Sequence, residues 1–204
     1  SGIKKVVVIL LDGFGYRMWM DSNSEPGFFN RLSSKGLLIP ITTIFPSTTA
    51  AGITTISTGL EPVQHGLPEW VVYMKEIKLI INTLPFTMFI AKKRVHLGDL
   101  NYDSKILYKG NTIYAQLRSA HIRSFAVIER DLVGSAYTNL TKKGSEQIPF
   151  VKPTDGIIKL RELINSEKGP AYIHFYSDNI DKVTHVYGPF SEQSRSEIAA
   201  ISHA

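Results

Sequence analysis

The chain has 204 residues, enough to bury the core of one domain, and its 43% hydrophobic and 20% charged residues exclude a disordered protein. It contains no cysteine, which excludes disulfides, thiolate metal ligands and a cysteine-derived nucleophile. The net charge of +5 suits an anionic substrate or nucleic acid, but the basic clusters are short and do not alternate with aromatic residues, so we expect no specific nucleic-acid binding.

Strands and helices are predicted to alternate along the chain. Apolar β-branched runs predict strands at 5–11, 37–42, 123–127 and 171–176. Capping residues and apolar periodicity predict helices at 27–34, 49–58, 112–120, 154–165 and 192–202. The stretch 67–111 lacks periodicity and is expected to hold loops and irregular strands. This order predicts an α/β fold, a mostly parallel sheet with helices on both faces.

The first predicted strand ends at a carboxylate, and a hydroxyl-rich segment follows. Asp12-Gly13 stops an apolar run, at the position where open α/β sheets bind ligands, although this dipeptide is also an ordinary turn. Thr49 lies 37 residues later, where a Ser/Thr cluster opens a small-residue helix whose free N–H groups favour anions. The pair suggests a metal ligand opposite a nucleophile that attacks a phosphate.

A second candidate for metal binding follows the last predicted strand. Asp181 and His185 are four residues apart and would share one face of a helical turn, where a carboxylate and an imidazole can bind one zinc-like ion. Asp178 is a competing carboxylate, but only Asp181 has this spacing to His185. The alternative interpretation is a polar loop with an N-capping aspartate.

These segments, taken together, resemble the type I phosphodiesterase/nucleotide pyrophosphatase family of the alkaline phosphatase superfamily. The resemblance rests on five segments in the right order: Leu11-Asp12-Gly13, Phe45-Pro46-Ser47-Thr48-Thr49, Thr58-Gly59-Leu60-Glu61-Pro62 with His65-Gly66, Asn82-Thr83-Leu84-Pro85, and Asp181-x-x-x-His185-x-x-Gly188-Pro189. It covers nearly the whole chain, and the combination is specific although each motif alone is weak.

The resemblance implies a two-metal hydrolase of phosphodiesters or nucleotide pyrophosphates. Asp12 and Thr49 would bind one divalent ion, and Asp181 and His185 the other; zinc is the first expectation, with manganese or magnesium as alternatives. Thr49 would be the nucleophile, form a phosphoryl-threonine ester and be regenerated by water. Ser47 and Thr48 would be turn and N-cap residues, and His65 a structural residue beside the site.

The sequence departs from the family pattern in two places. Gly52 stands where many members carry an asparagine whose amide holds a phosphoryl oxygen, which affects the expected substrate preference more than the reaction type. The family also needs an Asp-His pair and a further histidine beyond the Gly-Pro segment, and no Asp-His dipeptide occurs here. His203 lies in a predicted helix and is not expected to be a ligand. Residues 1–204 are therefore expected to form a single catalytic domain that is incomplete at the C-terminus.

Two other functions remain open at this stage. The enzyme alternative is a phosphomonoesterase or phosphonate hydrolase of the same superfamily, and the other alternative is a catalytically incompetent fragment that keeps only the fold. A nucleic-acid-binding module is a distant third alternative.

Location and partners follow from what the sequence lacks. No secretory signal precedes the first strand, the Ser1-Gly2 start is typical of a cloning remnant, and the apolar stretch 77–91 is shorter than the about 20 residues of a membrane span. We expect a cytoplasmic enzyme with a small-molecule substrate and no membrane contact; the sequence does not predict an oligomeric state.

Overall fold

The computed structural model of the protein describes residues 2–22 and 27–204, so Ser1 lies outside the described residues. The chain divides into two compact units. Unit 1 consists of Ser1–Thr42, Phe125–Arg130 and Ile148–Ala204, and unit 2 of Thr43–Ser124 and Asp131–Gln147.

The secondary structure of the described residues alternates strands and helices. The strands are β1 (Lys5–Leu11), β2 (Val71–Met74), β3 (Leu79–Asn82), β4 (Thr87–Met88), β5 (Arg123–Glu129), β6 (Glu146–Phe150) and β7 (Ala171–Ser177). The helices are α1 (Tyr16–Ser22), α2 (Phe28–Lys35), α3 (Thr49–Thr58), α4 (Pro62–His65), α5 (Ile113–Ser119), α6 (Ala136–Thr141), α7 (Pro153–Ser166), α8 (Asn179–Tyr187) and α9 (Glu192–His203). Short 3-10 helices cover Leu97–Leu100, Ser104–Ile106 and Arg130–Leu132.

The larger sheet has four strands in the order β1-β7-β5-β6. β1 and β7 are parallel, with Lys5 opposite Ala171 and Leu11 opposite Ser177, so both strands end at the same edge of the sheet. All seven residues of β7 are buried, including His174 and Ser177, because the strand lies between β1 and β5 within the sheet. The α/β class predicted from the sequence, with a parallel sheet and flanking helices, is confirmed.

Two apolar clusters hold unit 1 together. One joins side chains of β5, β6 and β7 to α7 through Phe125, Phe150, Leu160 and Phe175, and the rings of Phe150 and Phe175 stack 5.3 Å apart. The other joins α1, α2, α8 and α9, and its buried members are Met18, Phe29, Ile180, Ile198 and Ile201. Ile180 anchors α8 in this second cluster, so the helix that carries Asp181 and His185 is held by its apolar face.

Unit 2 contains the antiparallel sheet β2-β3-β4 and the small-residue helix α3. Ala50 and Ala51 are fully buried, and the Thr54 hydroxyl donates to the Ala50 carbonyl at 2.7 Å. The buried Tyr137 hydroxyl, on α6, contacts the Thr54 hydroxyl at 2.7 Å. Gly59 ends α3 in the left-handed conformation (φ 74°), as a helix C-cap commonly does.

One predicted strand is wrong, and several elements were not predicted. Residues 37–42 form no strand, because no described strand pairs with them. Leu37 and Ile41 are 85% and 84% exposed, and Pro40 removes a backbone donor that a ladder would need. The elements that were not predicted are α1, α4, α6, β6 and the full length of α8, and the irregular strands expected within 67–111 are β2, β3 and β4. Within the described residues, no helix has the length and apolar character to cross a membrane.

Candidate active-site residues

Asp12 lies directly after β1, at the carboxyl edge of the larger sheet. Its backbone N–H donates to the Ser177 carbonyl at 2.9 Å, which continues the pairing of β1 with β7 by one residue. In its side chain, Oδ1 accepts a hydrogen bond from the Gly13 N–H at 3.0 Å and Oδ2 accepts one from the Tyr176 hydroxyl at 2.9 Å. The predicted carboxylate is therefore held in one orientation by groups of β7 and of its own turn.

Gly13 brings the β1–α1 turn against the first turn of α8. It has φ +71°, a left-handed conformation that glycine adopts without strain. A Cβ atom at this position would lie 2.8 Å from Cα of Asp181 and 3.0 Å from its Oδ1. Only glycine fits this approach, which sets Asp12 and Asp181 beside each other.

Asp181 and His185 lie on one face of α8, as their spacing predicted. Asp181 Oδ2 and His185 Nε2 are 3.5 Å apart, and the side chains are 28% and 78% exposed. Burial raises the pKa of Asp181, and the negative charge of Asp12 raises it further, while His185 acts in the opposite direction. Electrostatic repulsion between the two aspartates is thus built into this edge of unit 1.

A lysine-centred ion-pair cluster lies at the same sheet edge and was not predicted. Lys182 Nζ is 2.6 Å from Asp178 Oδ1 and 2.7 Å from Oε2 of Glu129, the last residue of β5. Burial raises the pKa of Glu129, and a hydrogen bond with Asp178 adds to the rise. Asp178 therefore pairs with Lys182, and its spacing of four residues from Lys182 was the available sequence signal.

Thr49 belongs to unit 2 and is the first residue of α3, as predicted. Thr48 is the N-cap: its Oγ1 accepts from the Ala51 N–H at 3.4 Å and donates to the Pro68 carbonyl at 3.0 Å. The Thr48 hydroxyl therefore stabilises the start of the helix through these two hydrogen bonds. Thr49 is the next residue and is half-buried. Gly52 has open space where a Cβ would point, with no atom within 4 Å.

His65 is a structural residue of unit 2. Its Nδ1 accepts from the Leu67 N–H at 3.1 Å, so Nε2 carries the proton and donates to Thr55 Oγ1 at 3.2 Å. Burial lowers the pKa of His65, and the ring ties α3 to the end of α4 as a neutral group. His174 is fully buried within β7 and His203 ends α9.

Side chains at the edge of unit 1 carry donor atoms of the kinds that divalent metal ions prefer. Within residues 2–22 and 27–204, no three or more His, Asp or Glu side chains converge as a complete site. Asp181 and His185 nevertheless offer an oxygen and a nitrogen donor on one face of α8, a set that zinc accepts. A cation bound there would also offset the repulsion between Asp12 and Asp181. The residues present fit a metal ion as a partial ligand set.

Comparison with known proteins assigns the family. The chain matches the family of type I phosphodiesterases and nucleotide pyrophosphatases over residues 6–204. No curated protein sequence matches it.

Solved structures share the fold at low sequence identity. An inactive threonine-to-alanine variant of murine ectonucleotide pyrophosphatase/phosphodiesterase 5, in complex with AMP, has a TM-score of 0.68 and 17% identity over 98% of this chain and 50% of its own. The human protein of that name has a TM-score of 0.57 and 19% identity over 96% and 50%. Phosphonoacetate hydrolase from Sinorhizobium meliloti, in complex with phosphonoacetate, has a TM-score of 0.64 and 14% identity over 97% and 51%.

This chain thus spans about half the length of these solved proteins. Their likeness supports the α/β fold, and the family match runs from the second residue of β1 to the last residue of the chain. The chain belongs to the type I phosphodiesterase/nucleotide pyrophosphatase family, as its motifs predicted.

Proposed function

We propose that the protein hydrolyses phosphodiester or nucleotide pyrophosphate bonds, with Thr49 as the nucleophile. The observation that carries the proposal is the close approach of the Asp12-Gly13 turn to Asp181, in a chain that belongs to a family of phosphodiesterases and pyrophosphatases. The inactive threonine-to-alanine form of the murine protein supports a catalytic threonine.

The residues would divide the work as follows. Thr49 Oγ1 forms a bond to phosphorus while the bond from phosphorus to the leaving alcohol or nucleotide breaks, and the leaving oxygen takes up a proton. Water then attacks phosphorus, the bond to Thr49 Oγ1 breaks and the threonine recovers its proton. The N–H groups at the start of α3 would face the phosphoryl oxygens, because Gly52 has no side chain to donate a hydrogen bond.

The proposal includes two divalent ions, for which zinc is the first expectation. Asp12 and Thr49 would bind one, and Asp181 and His185 the other. When bound, such ions lower the pKa of a nucleophilic hydroxyl and neutralise charge on the phosphoryl group. The chain spans about half the length of its solved relatives, so we propose that residues 1–204 are part of one catalytic domain whose other part supplies further ligands.

Hydrolysis of bis(p-nitrophenyl) phosphate, with and without added zinc, tests the proposal. We expect zinc-dependent turnover in the wild-type protein, loss of turnover in Thr49→Ala with metal still bound, and little change in the control Ser47→Ala, whose side chain is exposed. Mass spectrometry of acid-quenched protein would detect the phosphoryl ester on Thr49. Undiminished turnover by Thr49→Ala would disprove the covalent mechanism.

Substrate class is tested by comparing three compounds. AMP in the murine complex and phosphonoacetate in the bacterial one both carry an anionic phosphorus group, which supports an organophosphorus substrate here. Faster turnover of the diester than of p-nitrophenyl phosphate or phosphonoacetate would support the phosphodiesterase. Preference for either of the others would favour the phosphomonoesterase or phosphonate hydrolase alternative. Metal binding without turnover of any would favour an incompetent fragment.

A further inference from the structure

Tyr176 makes a contact that no sequence motif predicted. It is the sixth residue of β7, it is 4% exposed, and it stands opposite Leu10 in the parallel pairing with β1. Its hydroxyl group reaches past the end of β1 to Asp12 Oδ2 at 2.9 Å. An ionised carboxylate can only accept, so the phenol is the donor in this hydrogen bond.

Two hydrogen bonds from different parts of the fold hold the Asp12 carboxylate. The Gly13 N–H donates to Oδ1, and the Tyr176 hydroxyl donates to Oδ2. The Gly13 bond is local to the turn, whereas the Tyr176 bond joins Asp12 to a fully buried strand and fixes it relative to the sheet.

We propose that Tyr176 is a positioning residue that holds the Asp12 carboxylate in the orientation in which it binds a divalent metal ion. The inference rests on the proposed function, because it assigns Tyr176 a role toward a ligand of that site. A hydrogen bond from a fixed donor to a metal-binding carboxylate orients it before the metal arrives, and removal of such a partner lowers metal affinity by about 10- to 100-fold.

The alternative role for Tyr176 is purely structural, as a core side chain whose hydroxyl happens to need an acceptor. Tyr172 provides a matched control, because it lies on β7 four residues earlier, hence on the same face of the strand, and is 8% exposed. Replacing either tyrosine by phenylalanine removes one hydroxyl from one buried ring. Of the two tyrosines, Tyr176 is the one whose hydroxyl donates to Asp12.

The first experiment measures zinc binding by calorimetry in Tyr176→Phe, Tyr172→Phe and the wild-type chain, with no substrate present so that turnover plays no part. We expect zinc affinity to fall about 10-fold or more in Tyr176→Phe and to stay near the wild-type value in Tyr172→Phe. The loss should be confined to one of the two ions, since Asp181 and His185 bind the other. Equal affinity in Tyr176→Phe and wild type would overturn the inference while the proposed function stands. Absence of zinc binding in the wild-type chain would overturn the inference, and the diester assay then decides the proposed function separately.

A double-mutant cycle separates positioning from general packing and needs no metal. Urea unfolding is measured for the wild type, Tyr176→Phe, Asp12→Ala and the double variant. We expect Tyr176→Phe to lower the unfolding midpoint in the wild-type background but to have little effect once Asp12 is replaced. Equal effects in both backgrounds would mean that Tyr176 acts through packing alone and would overturn the inference. Because Tyr176→Phe deletes only one oxygen, the ring still fills its site in β7.

Discussion

Lys142 places an amine in the interior of unit 2. The residue is 4% exposed, and its Nζ donates to Ser57 Oγ at 3.2 Å and to the Tyr114 hydroxyl at 3.1 Å. These two partners are neutral hydroxyl groups. Burial accordingly lowers the pKa of Lys142 from 10.5 to about 7.

The lowered pKa makes stability depend on pH in a defined direction. Between pH 7 and 10.5 the unfolded chain binds a proton at Lys142 that the folded chain does not bind, so the free energy of unfolding rises with pH across this window. Each pH step of one corresponds to about 1.4 kcal/mol, and the whole window to about 5 kcal/mol. At pH 7 the folded protein therefore carries a penalty of about 4 kcal/mol at this one side chain.

Lys142→Met tests this reasoning because it keeps the length of the side chain and removes the titrating amine. Loss of the two hydrogen bonds costs about 1–3 kcal/mol, so we expect a net stabilisation of about 1–3 kcal/mol at pH 7 that disappears by about pH 9.5. Urea unfolding of the whole chain, followed by circular dichroism between about pH 7 and about pH 9.5, measures the effect below the titration of ordinary tyrosines and lysines. Lys143→Met is the control, because Lys143 is exposed whereas the adjacent Lys142 is buried. Two results would refute the lowered pKa of Lys142: a wild-type free energy of unfolding that does not change over this pH range, or an equal pH dependence in Lys142→Met.

Three further changes test the candidate site. Gly13→Ala should lower stability by about 1–3 kcal/mol and weaken zinc binding, because its methyl group would overlap Asp181; unchanged zinc affinity in calorimetry would contradict the close approach. Gly52→Asn should raise the rate of diester hydrolysis, because open space lies at this position and the amide can donate to a phosphoryl oxygen, while Gly52→Ala should only stabilise α3 by about 0.5–1 kcal/mol. Equal rates for these two variants would argue against an oxyanion contact at residue 52. His185→Ala should remove one of two zinc ions and slow turnover, with the exposed His121→Ala as control; full zinc stoichiometry in His185→Ala would exclude His185 as a ligand.

Local sequence pattern was sufficient where one segment determines its own structure. β1 has the predicted bounds because a β-branched run followed by Asp-Gly both extends and ends a strand. α3 has the predicted bounds because Thr48 caps its start and Gly59 its end. Asp181 and His185 share a helix face because spacing of four residues does so in any α-helix.

Pattern failed where the outcome depends on a distant partner. Residues 37–42 have the composition of a strand, but a strand exists only when another strand satisfies its backbone groups, and no described strand pairs with them. β6 was not predicted because Pro149 interrupts its short apolar run. It forms a strand because β5 lies beside it in the sheet and provides hydrogen-bond partners for its backbone.

The sequence by itself determined the family, the α/β class and the identity of Asp12, Thr49, Asp181 and His185 as candidates, since each depends on residue type and on spacing along the chain. Only the tertiary structure decided that Tyr176 donates to Asp12, that Gly13 meets Asp181 and that Lys142 lies buried among hydroxyl groups. The members of such pairs lie far apart in the sequence: 164 positions separate Tyr176 from Asp12, and 28 positions separate Lys142 from Tyr114. Strand pairing and core packing bring such residues together, and neither leaves a periodic signal in the chain.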